Sequence, residues 1–145
     1  YNYRMTDMSA AIGRQQLHKI EGWNARRQQI AARYNQAFKD LSYLSAPESP
    51  GGFEHVYHLY SLCIHADRQK FQERLTAEGI GNGVYYPIPL YRTALFESMG
   101  LRPSDFPVCE KVASEIVSIP CHPALSDDDV QTVIDAVVAA TKGSA

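Results

Sequence analysis

Apolar residues recur at helical spacing in the first third of the chain and gather into short, dense runs further on. Thr6-Asp7 followed by Met8, Ala11 and Ile12 reads as an N-cap and the start of an amphipathic helix. Gly22 is expected to interrupt it. A second helix then carries Trp23, Ile30, Tyr34, Ala37 and Leu41 at heptad-like spacing, with Arg27 as the exception, while Arg26, Gln28, Gln29 and Arg33 mostly take the other side. Helices owe most of their stability to packing, so an arm of this length needs a partner surface. A second subunit is one candidate.

Pro47 to Gly52 is a loop rich in Pro and Gly. His55 to His65 reads as a strand, and its largely apolar faces predict a central strand covered on both sides. Asp67 caps a helix holding Phe71 and Leu75, and Gly79 sits where a helix-terminating glycine belongs. Val84-Tyr85-Tyr86 reads as a short strand stopped by Pro87 and Pro89. Thr93 to Met99 supplies one or two helical turns. Pro107 opens a helix with Val108, Val112 and Ile116 on one face. Val117-Ser118-Ile119 is a strand ended by Pro120, and Ser126 caps a last helix whose stripe is Val130, Val133, Ile134 and Val137. The pattern predicts an α+β fold: a long helical arm over 1–41, then a unit over 42–145 with a small, mainly antiparallel sheet of about three strands packed with helices.

Composition adds bounds. The 145 residues, 45 % hydrophobic and 21 % charged, describe an ordinary globular chain of one domain's length. No run of eighteen apolar residues is present, so no membrane span is expected. Cys63, Cys109 and Cys121 are odd in number and widely spaced, which fits reduced thiols and a cytoplasmic location. The net charge of −2 argues against nucleic acid as a partner. It hides an asymmetry: seven Lys/Arg stand against two acids up to Lys39, and seven against fourteen beyond it. The basic third is open to three readings, an interface, an anion site or a solvated helix face. Tyr1-Asn2-Tyr3-Arg4 is an unusual start and reads as the middle of something longer.

Several patterns bear on chemistry. Gly79-Ile80-Gly81-Asn82-Gly83 follows a helix and precedes a strand, the reverse of a phosphate loop, and reads as a cap and turn. His55 and His58 would point to opposite faces of a strand. Cys63, His65, Cys121 and His122 lack the close cysteine pairs of a zinc site. Asp127 to Asp129 read as capping at a helix start. Lys19, Lys39, Lys70, Lys111 and Lys142 all sit in polar helical or terminal contexts, where lysines are solvated. Two segments read as site material. Asn2 and Arg4, an amide and a guanidinium just before a helix, suit phosphate oxygens. Tyr85, Tyr86 and Tyr91 among prolines form a rigid edge rich in hydroxyls, with ordinary core packing as the alternative.

Asn2-Tyr3-Arg4-Met5, Ala10 to Gly13, Gln16-Leu17, Arg26-Arg27, His55 to Tyr60, Gly79-Ile80, Tyr86-Pro87-Ile88-Pro89-Leu90, Phe106-Pro107, Glu110 and Ile119 to Ser126 occur in an order that resembles the DegT/DnrJ/EryC1/StrS family. These are fold-type I, pyridoxal-phosphate-dependent aminotransferases of nucleotide-linked sugars. The resemblance implies the C-terminal small-domain part of such an enzyme, with the large domain and its Schiff-base lysine lying upstream. It implies a homodimer in which Asn2 reaches the cofactor phosphate of the other subunit and Arg4 lies at the sugar-nucleotide site. It also implies that Tyr85 and Tyr86, in place of a His-Tyr pair, contact the substrate phosphates. Tyr91 replaces a second family histidine, so two imidazoles that can carry charge are exchanged for neutral phenols.

The activity so implied moves an amino group from a donor, commonly glutamate, to a keto-sugar nucleotide through pyridoxal 5′-phosphate. Without the lysine, the chain alone is expected to be inactive. Two other readings compete: a non-catalytic helical interaction module, and a small ligand-binding regulatory domain with the tyrosine edge as its pocket.

Overall fold

The structure, a computed structural model, describes residues 1–142. The last three residues of the 42–145 unit, and the side chain of Lys142, lie outside what is described. Thr6 starts the first helix as expected: its hydroxyl oxygen accepts from the Ser9 backbone N–H at 3.3 Å. That helix, α1 (Asp7–Phe38), then runs for 32 residues without a break. Gly22 does not interrupt it. A lone glycine costs a helix only about 1 kcal/mol relative to alanine and keeps its N–H for the ladder, so the long run on either side carries through.

Only the last turns of α1 enter the core. Ile30, Ala31, Tyr34 and Phe38 are buried there, whereas Met8, Ile12, Leu17 and Ile20 are exposed. Tyr34 packs edge-on to Tyr60, with ring centroids 5.0 Å apart, and stacks on Phe38 at 5.6 Å. Both tyrosine hydroxyls find acceptors, Tyr34 on the Pro120 carbonyl at 2.8 Å and Tyr60 on Asn35 Oδ1 at 2.6 Å. Burial raises both pKa values well above the ordinary tyrosine range.

The sheet is α+β in the expected sense, with three strands in the order β1 (Leu44–Ser45), β2 (Tyr60–Ile64), β3 (Ile116–Ile119), all neighbours antiparallel. Its membership differs from the sequence reading in three places. Leu44-Ser45 joins as a two-residue edge strand that no alternation announces. The expected strand from His55 begins only at Tyr60, because backbone groups before it are held by side chains instead of a ladder. Arg27 Nη1 donates to the carbonyls of Tyr57 and His58, His55 Nδ1 accepts from the Tyr57 N–H, and Tyr57 takes a φ of +49°. The expected strand Val84–Tyr86 does not form; the segment meets the sheet only just before it, where Gly83 and Ser118 exchange backbone bonds at 3.1 and 2.7 Å. Pro87 and Pro89 have no N–H to continue it.

β2 is central, yet its two faces differ. Tyr60, Leu62 and Ile64 are buried in the core, while Ser61 and Cys63 are half-buried on the other side. Ser61 and Ser118, opposite each other in register, share a hydroxyl bond of 2.8 Å. The core face is covered by the end of α1, by α2 (Arg68–Ala77) and by α5 (Asp127–Lys142). Asp67 caps α2 through Lys70 N–H at 3.1 Å, and Gly79, at φ +74°, ends the helix in the left-handed turn that glycine favours. At the start of α5, Ser126 and Asp129 cap reciprocally, Ser126 Oγ accepting from the Asp129 N–H and Asp129 Oδ2 from the Ser126 N–H. The remaining helices are a single turn, α3 (Ala94–Glu97), and α4 (Pro107–Glu115), with Pro107 at its first position as expected.

The basic face of α1 is largely an internal fastening. Arg26 and Arg33 both reach Asp127, at 2.9 and 3.3 Å, which ties α1 to the start of α5. Of the thiol and imidazole groups weighed for zinc, Cys121 lies in the core beside Arg27, Cys63 lies on the opposite face beside Glu115, and His65 bonds Ser45 Oγ at 2.7 Å.

Candidate functional site

The segment from Gly83 to Arg92 runs along the open edge of β3 and is pinned at both ends. The Gly83–Ser118 bridge holds its start. Its end is a 3₁₀ turn, Leu90–Arg92, gripped by α4. Tyr91 is buried there, its ring stacked on Phe106 with centroids 4.5 Å apart and its hydroxyl donating to Glu110. Arg92 closes a two-pronged pair on the same carboxylate, with Nε 2.7 Å from Oε1 and Nη2 on Oε2. Hydrogen bonds from Arg92 and Tyr91 hold the Glu110 carboxyl below its usual range, and burial, followed by the Glu110 contact, raises the Tyr91 hydroxyl. Tyr91 is therefore a structural residue of this loop rather than part of an exposed hydroxyl edge.

Between the two pins, Tyr85 and Tyr86 project outward, 53 % and 79 % exposed, joined by a cis peptide. Neither belongs to the core. Tyr85 stands between two hollows. One, of about 400 Å³, is apolar and is walled by Tyr86, Ile88, Leu90, Cys109 and Val112. The other, of about 470 Å³, is polar and is lined by Arg27, His58, Asn82, Ser118 and His122. No lysine lines either. The Tyr85 ring lies against Gly83, where a Cβ would come within 3.0–3.1 Å of three of its atoms.

Asn2 and Arg4 are brought together with each other and, among the described residues, hydrogen-bond nothing in the body. Asn2 Oδ1 accepts from the Arg4 backbone N–H at 3.1 Å and from Arg4 Nε at 3.5 Å. The Asn2 Nδ2 donors make no hydrogen bond among the described residues, so a donor pair faces outward beside a guanidinium. Twenty-three residues of helix separate Asp7 from Ile30, where the core begins, which is about 35 Å at ~1.5 Å per residue. Neither Asn2 nor Arg4 lines the hollows around Tyr85.

Three participants were not singled out by sequence reasoning. Arg92 carries no pattern of its own. Gly83 was read only as part of a turn. Arg27 did leave a signal, as the one cation on the apolar stripe of its helix. It sits there because its guanidinium gathers three carbonyls, those of Tyr57 and His58 at 3.2 Å and Cys121 at 2.5 Å.

Comparison with known proteins now bears on these residues. The family model for the DegT/DnrJ/EryC1/StrS aminotransferase family matches residues 1–138. The chain is 39 % identical to an uncharacterised protein of Methanocaldococcus jannaschii over 143 residues, covering 94 % of this chain and 37 % of that one. It is 31 % identical to the UDP-N-acetyl-3-dehydro-α-D-glucosamine 3-aminotransferase of Acidithiobacillus ferrooxidans, covering 92 % and 35 % respectively. The fold superposes on DesV of S. venezuelae with a TM-score of 0.91 at 27 % identity, covering 96 % of this chain and 37 % of that one. The chain thus spans a little over a third of the length of the relatives it matches. With the family's model matched across nearly every residue and its fold reproduced, the chain belongs to the DegT/DnrJ/EryC1/StrS aminotransferase family.

Proposed function

We propose that this chain is the C-terminal part of a pyridoxal-phosphate-dependent aminotransferase that passes an amino group, with glutamate as donor, to a nucleotide-linked keto-sugar. The observation that carries the reading is the Tyr85–Tyr86 edge: two outward phenols on a loop fixed at both ends. Phenolic O–H groups donate to phosphate oxygens while remaining neutral at pH 7, and a pinned loop holds them without an ordering cost at binding. Membership of a family of sugar aminotransferases supplies the substrate class. The division into an arm over 1–41 and a unit over 42–145, and a cytoplasmic location, belong to the same reading.

The residues at the start of the chain fit the cofactor's phosphate. Asn2 spends its carbonyl oxygen on Arg4, which turns the amide N–H donors outward and fixes the guanidinium beside them. When bound, pyridoxal 5′-phosphate supplies the electron sink for amine transfer. Asn2 would hold its phosphate, and Arg4 the sugar nucleotide. Because the start of α1 at Asp7 already stands about 35 Å along the helix from Ile30, where the core begins, Asn2 before it serves a site completed by another part of the assembly. We read that assembly as a homodimer with shared sites. No lysine lines either hollow, so we expect this chain alone to be inactive. With pyridoxal phosphate and borohydride it should show no single labelled lysine accompanied by turnover.

The test is made in the intact enzyme. Tyr85→Phe and Tyr86→Phe should each raise KM for the keto-sugar nucleotide by about tenfold, the size of one hydrogen bond to a charged group, and leave KM for the amino donor unchanged. Equal losses for both substrates would indicate misfolding, and no loss would remove the phenols from the site.

A further inference from the structure

The polar hollow beside Tyr85 holds donors that the fold does not use. Arg27 makes all three of its hydrogen bonds through Nη1, so Nη2 and Nε have no hydrogen-bond partner among the described residues. The rings of His58 and His122 and the hydroxyl of Tyr85 likewise make no hydrogen bond among the described residues, and all three side chains line the same hollow. Asn82, by contrast, is spent: its amide donates to Gln72, Thr76 and Ile80. Ser118 Oγ is engaged with Ser61. No carboxylate lines the hollow. On the first turn of α5, Asp127 is occupied by Arg26 and Arg33, and Asp129, which caps with Ser126, lies within electrostatic reach of His122.

The guanidinium is also held stiffly. Three carbonyls from two separate loops converge on one nitrogen, which fixes the plane of the fork and directs its remaining N–H groups. A planar fork of fixed orientation suits the paired oxygens of a carboxylate or a phosphoryl group. Its half-buried position strengthens its attraction for an anion relative to a fully solvated arginine. Neutral imidazoles each offer one N–H donor, so His58 and His122 add directed bonds whatever their charge.

We propose that this hollow is a binding site for a compact oxyanion, gripped by the free edge of Arg27 with His58, His122 and Tyr85 around it. Two sources carry that chemistry in an aminotransferase of this family: a carboxylate of the amino-acid donor, and a phosphoryl group of the sugar nucleotide. The choice between these occupants rests on the function proposed above. The site itself does not, since it is built entirely from residues of this chain.

Binding can be followed on the full 145-residue chain by titration calorimetry and by shifts of Arg and His side-chain resonances, with glutarate and inorganic phosphate as separate probes and glutaramide as the uncharged control. We expect saturable one-to-one binding of at least one anion, none of glutaramide, and about tenfold weaker binding in His58→Ala/His122→Ala, the loss of a hydrogen bond to a charged group. Those rings make no hydrogen bond among the described residues, and His122 meets Asp129 only through its charge, so the variant should melt close to the parent. Arg27→Lys keeps the charge and loses the fork; it should bind more weakly still, and if it fails to fold the histidine variant decides. Glutarate binding without phosphate binding identifies the donor's carboxylate as the occupant, and the reverse identifies a phosphoryl group. No saturable binding of either anion, or binding unmoved by the histidine substitutions, overturns the proposal. Neither result depends on the KM test of Tyr85 and Tyr86, so the two readings fail separately.

Discussion

At the scale of single residues, Gly83 is the position where backbone and site meet most closely. A Cβ there would sit 3.0 Å from Tyr85 Cε2 and 3.1 Å from its Cζ and hydroxyl oxygen. The atoms it meets are the far end of an exposed side chain, so the ring can swing away. Gly83→Ala should therefore change stability by less than about 1 kcal/mol, within the range of ordinary surface substitutions, while moving Tyr85 off the wall between the two hollows. In the intact enzyme the variant should raise KM for the keto-sugar nucleotide several-fold with an unchanged melting temperature. A melting temperature that falls along with activity would instead place Gly83 among the folding determinants. The thiols offer a second check at this scale. Cys109 is exposed, whereas burial raises the Cys121 thiol to about 11. At pH 8 a maleimide should label Cys109 rapidly and Cys121 only on unfolding. Early labelling of Cys121 would contradict its place in the core.

At the scale of elements, the loop that presents Tyr85 and Tyr86 depends on one carboxylate. Glu110 takes the Tyr91 hydroxyl and both prongs of Arg92, and its pKa in the folded chain lies below the ordinary glutamate value. A depressed carboxylate contributes stability that is fully present above its unfolded pKa and is lost as pH falls through the folded one. The loop should therefore loosen only in acid, below the usual glutamate range, and Glu110→Gln should loosen it at neutral pH. Amide exchange over 84–92 should quicken several-fold in that variant, with exchange in β2 and α5 unmoved; uniform acceleration would show that Glu110 holds the whole fold. Local signals made the surrounding elements legible beforehand. Thr6, Asp67, Gly79, Pro107 and Ser126 each mark a helix boundary through chemistry confined to a few residues, and the core stripe of α5 follows from its period. The failures have a common cause. His55–Leu59 has the composition of a strand, but Arg27, 30 and 31 residues away, takes the carbonyls of Tyr57 and His58. Val84–Tyr86 likewise loses its ladder to the prolines that follow. Of the candidate site, the tyrosines were legible as aromatics among prolines, but not which of them face solvent: Tyr85 and Tyr86 do, and Tyr91 is buried. The grip of Glu110 on Tyr91 was not legible either, because it joins residues nineteen apart across an irregular segment.

At the scale of the whole molecule, the chain is a body from which the first turns of a long helix extend. α1 contributes to the core only from Ile30 onward, and Met8, Ile12, Leu17 and Ile20 along its earlier turns, with Met5 just before it, are left exposed. Among the described residues, no helix is long and apolar enough to cross a membrane. The proposed homodimer gives that face a partner: burying these five side chains removes apolar surface from water at roughly 25 cal/mol per Å², and it carries Asn2 and Arg4 to a site away from their own body. Two substitutions separate these effects in the intact enzyme. Ile12→Ser with Leu17→Ser should weaken self-association and release cofactor, while the body, whose core those residues do not touch, keeps its unfolding transition. Asn2→Ala should leave association intact and weaken cofactor retention about tenfold or more, since a hydrogen bond to a charged group is worth roughly 1.5–3 kcal/mol. Sedimentation at micromolar concentration alongside cofactor titration distinguishes the two. If the double substitution leaves both association and cofactor affinity unchanged, the exposed face of α1 has some other partner, and the sharing of Asn2 between subunits loses its structural basis.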